Sequence, residues 1–286
     1  MPDLGPLITP AVLAKRLGDP DVRIFDTTVF LRRPPSGGPY AIESGRSSYE
    51  QGHIPGAAFA DVARALSDED SPFPFTTPRP ERFAAEAGRL GISPGVHVVV
   101  YAQESPMWAT RFWWLLRVFG FDRVSVLDGG LPAWAAEGRE LEVGSIEHAP
   151  STFTGAFRPE LLASRGEVEA VVCGDADARL LNALQSGAFR GEGPTSYSRP
   201  GRIPGSDNIP WSDVVDPDTF GFRGVNELKQ LFEGVGPEPV IAYCGGGISA
   251  TIDLFALSLI GREGARLYDG SLAEWTADPQ LPVETG

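Results

Sequence analysis

Val240-Ile-Ala-Tyr-Cys-Gly-Gly-Gly-Ile-Ser-Ala-Thr251 runs an apolar, β-type segment into one cysteine, then three glycines, then an apolar pattern of helical character. A strand, loop and helix in that order make the repeating unit of a parallel, helix-covered sheet. The unit also places Cys244 where a strand ends and a helix begins. A thiol reacts as its thiolate, and a thiolate there meets unpaired backbone N–H groups at the positive end of a helix dipole. Gly245, Gly246 and Gly247 lack a Cβ, so the backbone is free to take positive φ and turn successive N–H groups towards whatever the sulfur carries. Cys244 is therefore the candidate nucleophile, and Gly245, Gly246, Gly247, Ile248 and Ser249 are its candidate substrate cradle. A lone cysteine is commonly just a small buried hydrophobe, but three glycines beside regular structure are costly unless close approach or unusual angles require them. A Walker-type phosphate loop is excluded, because Gly247-Ile248-Ser249 carries no lysine.

Outward from this stretch, the chain looks duplicated. Val98-Val-Val-Tyr-Ala-Gln103 matches Val240-Ile-Ala-Tyr-Cys-Gly245, and Leu127-Asp-Gly-Gly-Leu-Pro-Ala-Trp134 matches Leu267-Tyr-Asp-Gly-Ser-Leu-Ala-Glu-Trp275 around a shared Asp-Gly and Trp. Gly52-His-Ile-Pro-Gly-Ala57 matches Gly201-Arg-Ile-Pro-Gly-Ser206, and Val22-Arg-Ile-Phe-Asp-Thr27 matches Ala178-Arg-Leu-Leu-Asn-Ala183. The matches keep their order, and each half alternates strand and helix patterns, which predicts an α/β fold with a mostly parallel sheet in each half. In the first half the pattern predicts a helix over 10–17, a strand over 22–26, a Pro/Gly/Ser-rich excursion over 31–48, a helix over 80–90, a buried strand over 96–101 and an aromatic-rich helix over 107–119 at a core or domain interface. Polar sequence near 139–157 reads as the linker. The second half is expected to open with a helix over 159–172, ending in a packed Cys173, followed by a strand over 179–182 and a loop over 186–206.

The 286 residues leave room for two domains, and 42% hydrophobic with 22% charged residues is the composition of a soluble globular protein. A formal charge of −14 disfavours nucleic acid and anionic membranes as partners. The start, Met1-Pro-Asp-Leu-Gly-Pro-Leu-Ile-Thr-Pro10, has neither a basic nor an apolar leader region, and no run suits a bilayer, so a cytoplasmic location is expected. Cys173 and Cys244 make no disulfide framework, and His53, His97 and His148 lie outside ligand spacing of any cysteine or of one another, so a structural zinc site is not expected.

With Gly52-His-Ile-Pro-Gly56 in one half and Cys244-Gly-Gly-Gly-Ile-Ser249 in the other, nearly the whole chain resembles the two-domain rhodanese sulfurtransferases. The resemblance implies two tandem rhodanese-like α/β domains, each a mostly parallel sheet with helices on both faces. Their expected bounds are 1–140 for a catalytically silent domain, with Ala102 at the cysteine position, 141–157 for the linker and 158–286 for the catalytic domain. Cysteine phosphatases share the fold type but need Cys-x5-Arg, and Ala250 stands at that position. The implied reaction moves a sulfane sulfur from a small donor, through a Cys244 persulfide, to a thiophilic acceptor such as cyanide or a thiol, and requires no metal or organic cofactor; a silent first domain that helps form the cleft suggests a monomer. The neutral loop favours 3-mercaptopyruvate slightly over thiosulfate.

Several positions depart from the family pattern. Gly246 replaces a serine, Phe75 a histidine, Leu184 the arginine of Asp-Ala-Arg, Ala188 the first arginine of Arg-Phe-Arg-Gly, and Arg202 the second-domain histidine. A donor carboxylate suits a guanidinium partner, and Arg190, Arg199 and Arg202 are the candidates. A non-catalytic persulfide carrier or regulatory sulfur-binding protein is the alternative reading, and a thiol hydrolase a third.

Overall fold

A computed structural model of the chain describes residues 4–32 and 40–286. In the first half, β1 (Leu7–Ile8), β2 (Val22–Asp26), β3 (Val29–Arg32), β4 (Ala41–Ser44), β5 (Ala57–Phe59), β6 (His97–Tyr101) and β7 (Val124–Leu127) alternate with α1 (Pro10–Ala14), α2 (Arg46–Gln51), α3 (Pro80–Arg89), α4 (Met107–Val118) and α5 (Gly130–Ala136). The second half contains β8 (Leu162–Ala163), β9 (Arg179–Asn182), β10 (Asp207–Asn208), β11 (Val240–Tyr243) and β12 (Arg266–Tyr268). Its helices are α6 (Arg165–Cys173), α7 (Ser186–Phe189), α8 (Trp211–Val214), α9 (Val225–Leu231), α10 (Ala250–Leu259) and α11 (Ser271–Trp275). No helix among the described residues is long and apolar enough to cross a membrane.

Each half builds one five-stranded parallel sheet, in the order β1-β7-β6-β2-β5 and, equivalently, β8-β12-β11-β9-β10. The central strands β6 and β11 are buried along their whole length, as near-continuous apolar runs must be when helices cover both faces. The repeated motifs do the same work twice. Tyr101 and Tyr243, which end the central strands, accept the N–H of Ile54 and Ile203 at 3.2 and 3.1 Å, and so fix the Ile-Pro-Gly turns. Trp134 and Trp275 donate their indole N–H to Glu140 and Pro282 carbonyls at 2.9 and 2.8 Å.

The excursion over 31–48 carries more structure than its composition suggests. β3 and β4 pair antiparallel and α2 follows, while residues 33–39 lie outside those described. The first helix stops at Ala14 rather than at residue 17. The second half opens with a short 3₁₀ turn, Pro159–Leu161, and β8 rather than with a helix. Ser164 sets the later helix start: its hydroxyl accepts from Glu167 N–H at 3.3 Å while the Glu167 carboxylate reaches back to Ser164 N–H at 2.8 Å. Those bonds, with Arg266 beside them, hold the Glu167 carboxyl down at about 2. Cys173 is exposed at the end of α6, not packed, because Gly174 caps the helix in the left-handed region (φ 80°) at the surface.

The halves meet along α4 and α10. Thr110 and Thr251 hydroxyls are 2.8 Å apart, the Trp113 ring meets the Phe255 ring edge-on at 4.8 Å, and Asp128 accepts from Phe222 N–H at 2.8 Å. One apolar core runs through both halves, joining Phe112 and Trp113 to Leu254 and Phe255. That explains why α4 is apolar around nearly its full circumference.

Asp253, on α10, is fully buried, and neither carboxylate oxygen has a hydrogen-bond partner among the described residues. Burial, then the nearby Asp213 carboxylate, pushes its carboxyl well above the ordinary range. The folded protein therefore holds a proton that the unfolded chain releases above about pH 4, so Asp253 destabilises the fold increasingly as pH rises towards its folded value. Asp253→Leu is expected to raise unfolding free energy at pH 7 by about 1–3 kcal/mol. Asp253→Asn should flatten the dependence of stability on pH above pH 4. Urea unfolding from pH 4 to 8 checks both, and an unchanged slope in the asparagine variant would refute the assignment.

Candidate active site

β11 ends at Tyr243 and delivers Cys244, 2% exposed, to the loop before α10. Side chains alternate along a strand, so Tyr243 points away into the core of the second half, where its hydroxyl donates to Ser206 at 2.8 Å. Burial pushes that hydroxyl up to about 12, which leaves it a neutral structural group.

The cysteine loop is tied down by Ser271. Its Oγ accepts the N–H groups of Cys244 and Gly247, both at 3.1 Å, and donates to the Tyr268 carbonyl at 2.9 Å. Leu272 and Ala273 N–H groups donate to the Cys244 and Gly245 carbonyls at 3.1 and 2.8 Å. Ser271 is held at φ 49°, a left-handed conformation that costs a residue with a Cβ about 1–3 kcal/mol. Its counterpart in the first half is Gly130 (φ 55°), where Leu131 N–H donates to the Ala102 carbonyl. A glycine position thus carries a hydroxyl only in the half that carries the cysteine. The sequence reading passed over Ser271, although aligning Asp128-Gly-Gly130 with Asp269-Gly-Ser271 exposes the exchange.

Of the three loop glycines only Gly247 has positive φ (73°), contrary to the expectation that the whole run would curl that way. A Cβ on Gly247 would also come within 2.5 Å of the Asp269 carboxylate. Gly245 is needed for close approach, because the Tyr197 ring and hydroxyl fill the place a Cβ would take, whereas a Cβ on Gly246 would meet only the Pro74 carbonyl, at an ordinary 3.8 Å. Gly247 N–H is spent on Ser271, so the cradle is narrower than expected. The N–H groups of Gly245, Gly246, Ile248 and Ser249 are paired with no acceptor among the described residues.

The first half locks this loop from the other side. Arg111 on α4, fully buried, forms an ion pair with Asp269 Oδ1 at 2.5 Å and donates to the Gly247 carbonyl at 3.2 Å and the Phe75 carbonyl at 2.5 Å. Asp269 Oδ2 accepts from Thr77 N–H and Oγ1 at 2.6 and 2.8 Å. Phe75 itself sits at φ 64° with its ring edge-on to Trp108 at 5.1 Å.

Between the halves lies a cavity of about 590 Å³. Cys244, Gly245, Gly246, Ile248 and Ser249 line it from the second half, while Gly247 is turned towards Ser271 and Asp269. Ala102 and Phe75 line it from the first half. The structure does not bring Arg190, Arg199 or Arg202 to the cavity. Arg190 pairs at the surface with Glu192 at 2.8 Å. Arg199 spends its guanidinium on the carbonyls of Thr276, Leu281 and Asp278 at 3.2, 2.8 and 2.7 Å. Arg202 occupies the place of His53. Both exchange backbone bonds with a later segment, His53 with Glu142 and Arg202 with Glu284, so the position serves to fasten the chain and not to reach a ligand.

A family model for the rhodanese-like domain matches residues 9–137 and 178–278. The chain belongs to the rhodanese family. Among relatives, it is 36% identical to the 3-mercaptopyruvate sulfurtransferase of Escherichia coli (strain K12) over 277 residues, covering 95% of each chain. It is 32% identical to the Homo sapiens 3-mercaptopyruvate sulfurtransferase over 291 residues, covering 98% of this chain and 93% of that one. Among solved structures, SseA from Escherichia coli, a 3-mercaptopyruvate sulfotransferase, superposes with a TM-score of 0.81 at 33% identity, covering 93% of this chain and 98% of that one. Tum1 from Saccharomyces cerevisiae superposes at 0.82 with 25% identity over 99% of both.

In this rhodanese the Arg111 clamp is a quantitative expectation. Arg111→Met leaves Asp269 a half-satisfied, partly buried carboxylate and strips two carbonyls of their donor, so unfolding free energy should fall by about 3 kcal/mol. Arg111→Lys should recover part of the loss, since an ammonium lacks the planar fork that reaches several acceptors. Guanidinium chloride unfolding measures both, and a methionine variant as stable as wild type would refute the clamp.

Proposed function

We propose that the chain is a sulfurtransferase that carries a sulfane sulfur on Cys244. The thiolate attacks the sulfur of 3-mercaptopyruvate and the donor's C–S bond breaks. Its electron pair leaves as the enolate of pyruvate, which then takes up a proton, and Cys244 is left as a persulfide. A thiophilic acceptor attacks the outer sulfur, the S–S bond breaks, and the Cys244 thiolate is regenerated. The single observation that supports this most is the placing of Cys244 at an interdomain cavity beside four loop N–H groups with no acceptor among the described residues. They are suited to hold the negative charge of a terminal sulfur as an oxyanion hole holds oxygen.

The neutral loop and the names of the relatives favour 3-mercaptopyruvate, with thiosulfate second. The unpaired state of Cys173 and Cys244 suits a reducing, cytoplasmic setting. A cavity closed by the chain's own two halves suits a monomer acting on small molecules.

Sulfur transfer to cyanide from 3-mercaptopyruvate and from thiosulfate, with mass spectrometry of the donor-treated protein, tests the reading. Wild type is expected to gain one sulfur atom on Cys244 and to turn over faster with 3-mercaptopyruvate, and Cys244→Ser to fall to the uncatalysed rate. Loading without turnover would favour the carrier reading, and a serine variant as active as wild type would sink the assignment of the nucleophile.

A further inference from the structure

Loading Cys244 from 3-mercaptopyruvate makes the enolate of pyruvate the leaving group, and an enolate leaves faster when an acid meets its oxygen as the C–S bond breaks. Histidine, the commonest such acid, lies elsewhere. The chain has three histidines, all among the described residues, and none lines the cavity. His53 donates to the Tyr49 carbonyl at 2.8 Å, His97 lies 2.7 Å from the Ser125 hydroxyl, and His148 stands edge-on to the Phe25 ring. The lining carboxylate, Glu104, is paired with Arg32 at 3.6 Å. Serine and threonine hydroxyls are far weaker acids than a phenol, whose ordinary pKa is about 10. Two phenols line the cavity among the described residues, those of Tyr40 and Tyr197. Tyr197 stands over the residue next to the nucleophile, since its ring and hydroxyl fill the place a Cβ on Gly245 would take. The ring packs on the second-half core that holds Ile203, Tyr243 and Leu272. Its N–H donates to Thr195 Oγ1 at 3.1 Å, and two residues on, Arg199 ties the same loop to the carbonyls of Thr276, Leu281 and Asp278. Thr276 caps the end of α11, whose first residues hold the cysteine loop through Ser271 Oγ and the N–H groups of Leu272 and Ala273. One short helix thus fixes phenol and nucleophile relative to each other, and Arg199 serves the site by pinning the loop that carries the phenol.

We propose that Tyr197 is a further catalytic residue of the loading step, donating a hydrogen bond and then its proton to the carbonyl oxygen of the donor. The proposal rests on the sulfurtransferase reading above and deepens it. As the Cys244 thiolate attacks the donor sulfur, an S–S bond forms and the C–S bond breaks, its electron pair becoming the C=C bond of the leaving enol. The carbonyl oxygen takes the phenol proton, and enolpyruvate leaves and tautomerises to pyruvate. Tyr197 remains as phenolate. It recovers a proton from the acceptor thiol, which is ordinarily the stronger acid (about 8.5 against about 10), or from water when the acceptor is cyanide. The thiolate so formed attacks the outer sulfur of Cys244–S–SH, the S–S bond breaks with its electron pair going to Cys244, and the donor's own thiol proton leaves on the acceptor persulfide. Atoms and charge balance over the cycle without an oxidant or reductant.

Inorganic polysulfide separates this role from a structural one, because it loads the same cysteine with a leaving group that has no carbonyl and needs no proton. Single-turnover loading of the full chain is timed by mass spectrometry of the Cys244 persulfide, for wild type, Tyr197→Phe and Tyr40→Phe, with each donor at saturation. Tyr197→Phe is expected to load about 100-fold more slowly from 3-mercaptopyruvate and within about threefold of wild type from polysulfide, the second rate also showing that the variant is folded. A packing defect at the cysteine loop would slow both donors alike, so equal slowing would overturn the proposal. Unchanged loading from 3-mercaptopyruvate would do the same, as would a donor-selective loss in Tyr40→Phe and not in Tyr197→Phe. A wild type that loads from polysulfide alone also overturns it, while leaving Cys244 as the sulfur carrier; a wild type that loads from neither donor counts against the sulfurtransferase reading itself.

Discussion

Arg111 has no exposed surface, and each of its acceptors belongs to a different segment: Asp269 after β12, Gly247 in the cysteine loop, and Phe75 in the first half's long loop before α3. Its two Nη atoms make all of these bonds while Nε has no partner among the described residues, and a buried guanidinium stripped of its acceptors would cost several kcal/mol. Its burial thus makes the positions of three loops mutually dependent. Asp269 adds Thr77 to the same network, and Ser271, two residues further on, holds both ends of the Cys244–Gly247 turn. The loop that carries the proposed nucleophile is shaped by groups from both halves, which gives a physical reason for retaining a first half with alanine at the cysteine position.

The duplication clarifies which features are scaffold. The tyrosine ending the central strand, the Ile-Pro-Gly turn it anchors and the tryptophan that fastens the following segment recur with the same bonds in each half. They hold a parallel sheet to its crossovers and have no need of chemistry. The halves differ where the loop after the central strand meets the Asp-Gly turn. There the first half has Ala102 over Gly130 and the second has Cys244 over Ser271. Gly130 cannot easily accept a side chain, since a Cβ would run into the Ala102 carbonyl. In the second half Ser271 stands at that position, and its hydroxyl bridges two amides.

Most of the fold was legible because it rests on short-range signals. The runs Val98–Tyr101 and Val240–Tyr243 read as buried parallel strands, and the order of the repeated motifs yielded two equivalent sheets. The β3–β4 hairpin was hidden by the Pro- and Gly-rich sequence between its strands, and the start of α6 by a capping box at Ser164 that outweighed the helical look of residues 159–163. Of the site, Cys244 and its glycines announce themselves locally. Arg111 and Asp269 do not, since their meaning is a contact 158 residues apart in sequence. The loop arginines misled for the converse reason. Charge in a loop says nothing of its partner, and Arg199 and Arg202 are spent on carbonyls and a carboxylate near the chain's end, contacts that sequence distance conceals.

With few charges in the cavity lining, the stabilisation of the reacting sulfur falls to the loop amides. In the proposed discharge of the persulfide the negative charge moves along the line of the sulfurs at Cys244, within reach of the loop amides, whereas in the loading step it passes through the donor sulfur to the enolate of pyruvate. Fixed amide dipoles stabilise charge on the sulfur without reorganising. A guanidinium placed farther out would hold the donor's carboxylate but would not follow the sulfur. Apolar walls can therefore select reactants by their uncharged portion without weakening the stabilisation of the sulfur itself. The two tasks are divided between backbone and side chains, so the walls of a rhodanese site can change chemistry while the cysteine loop stays as it is.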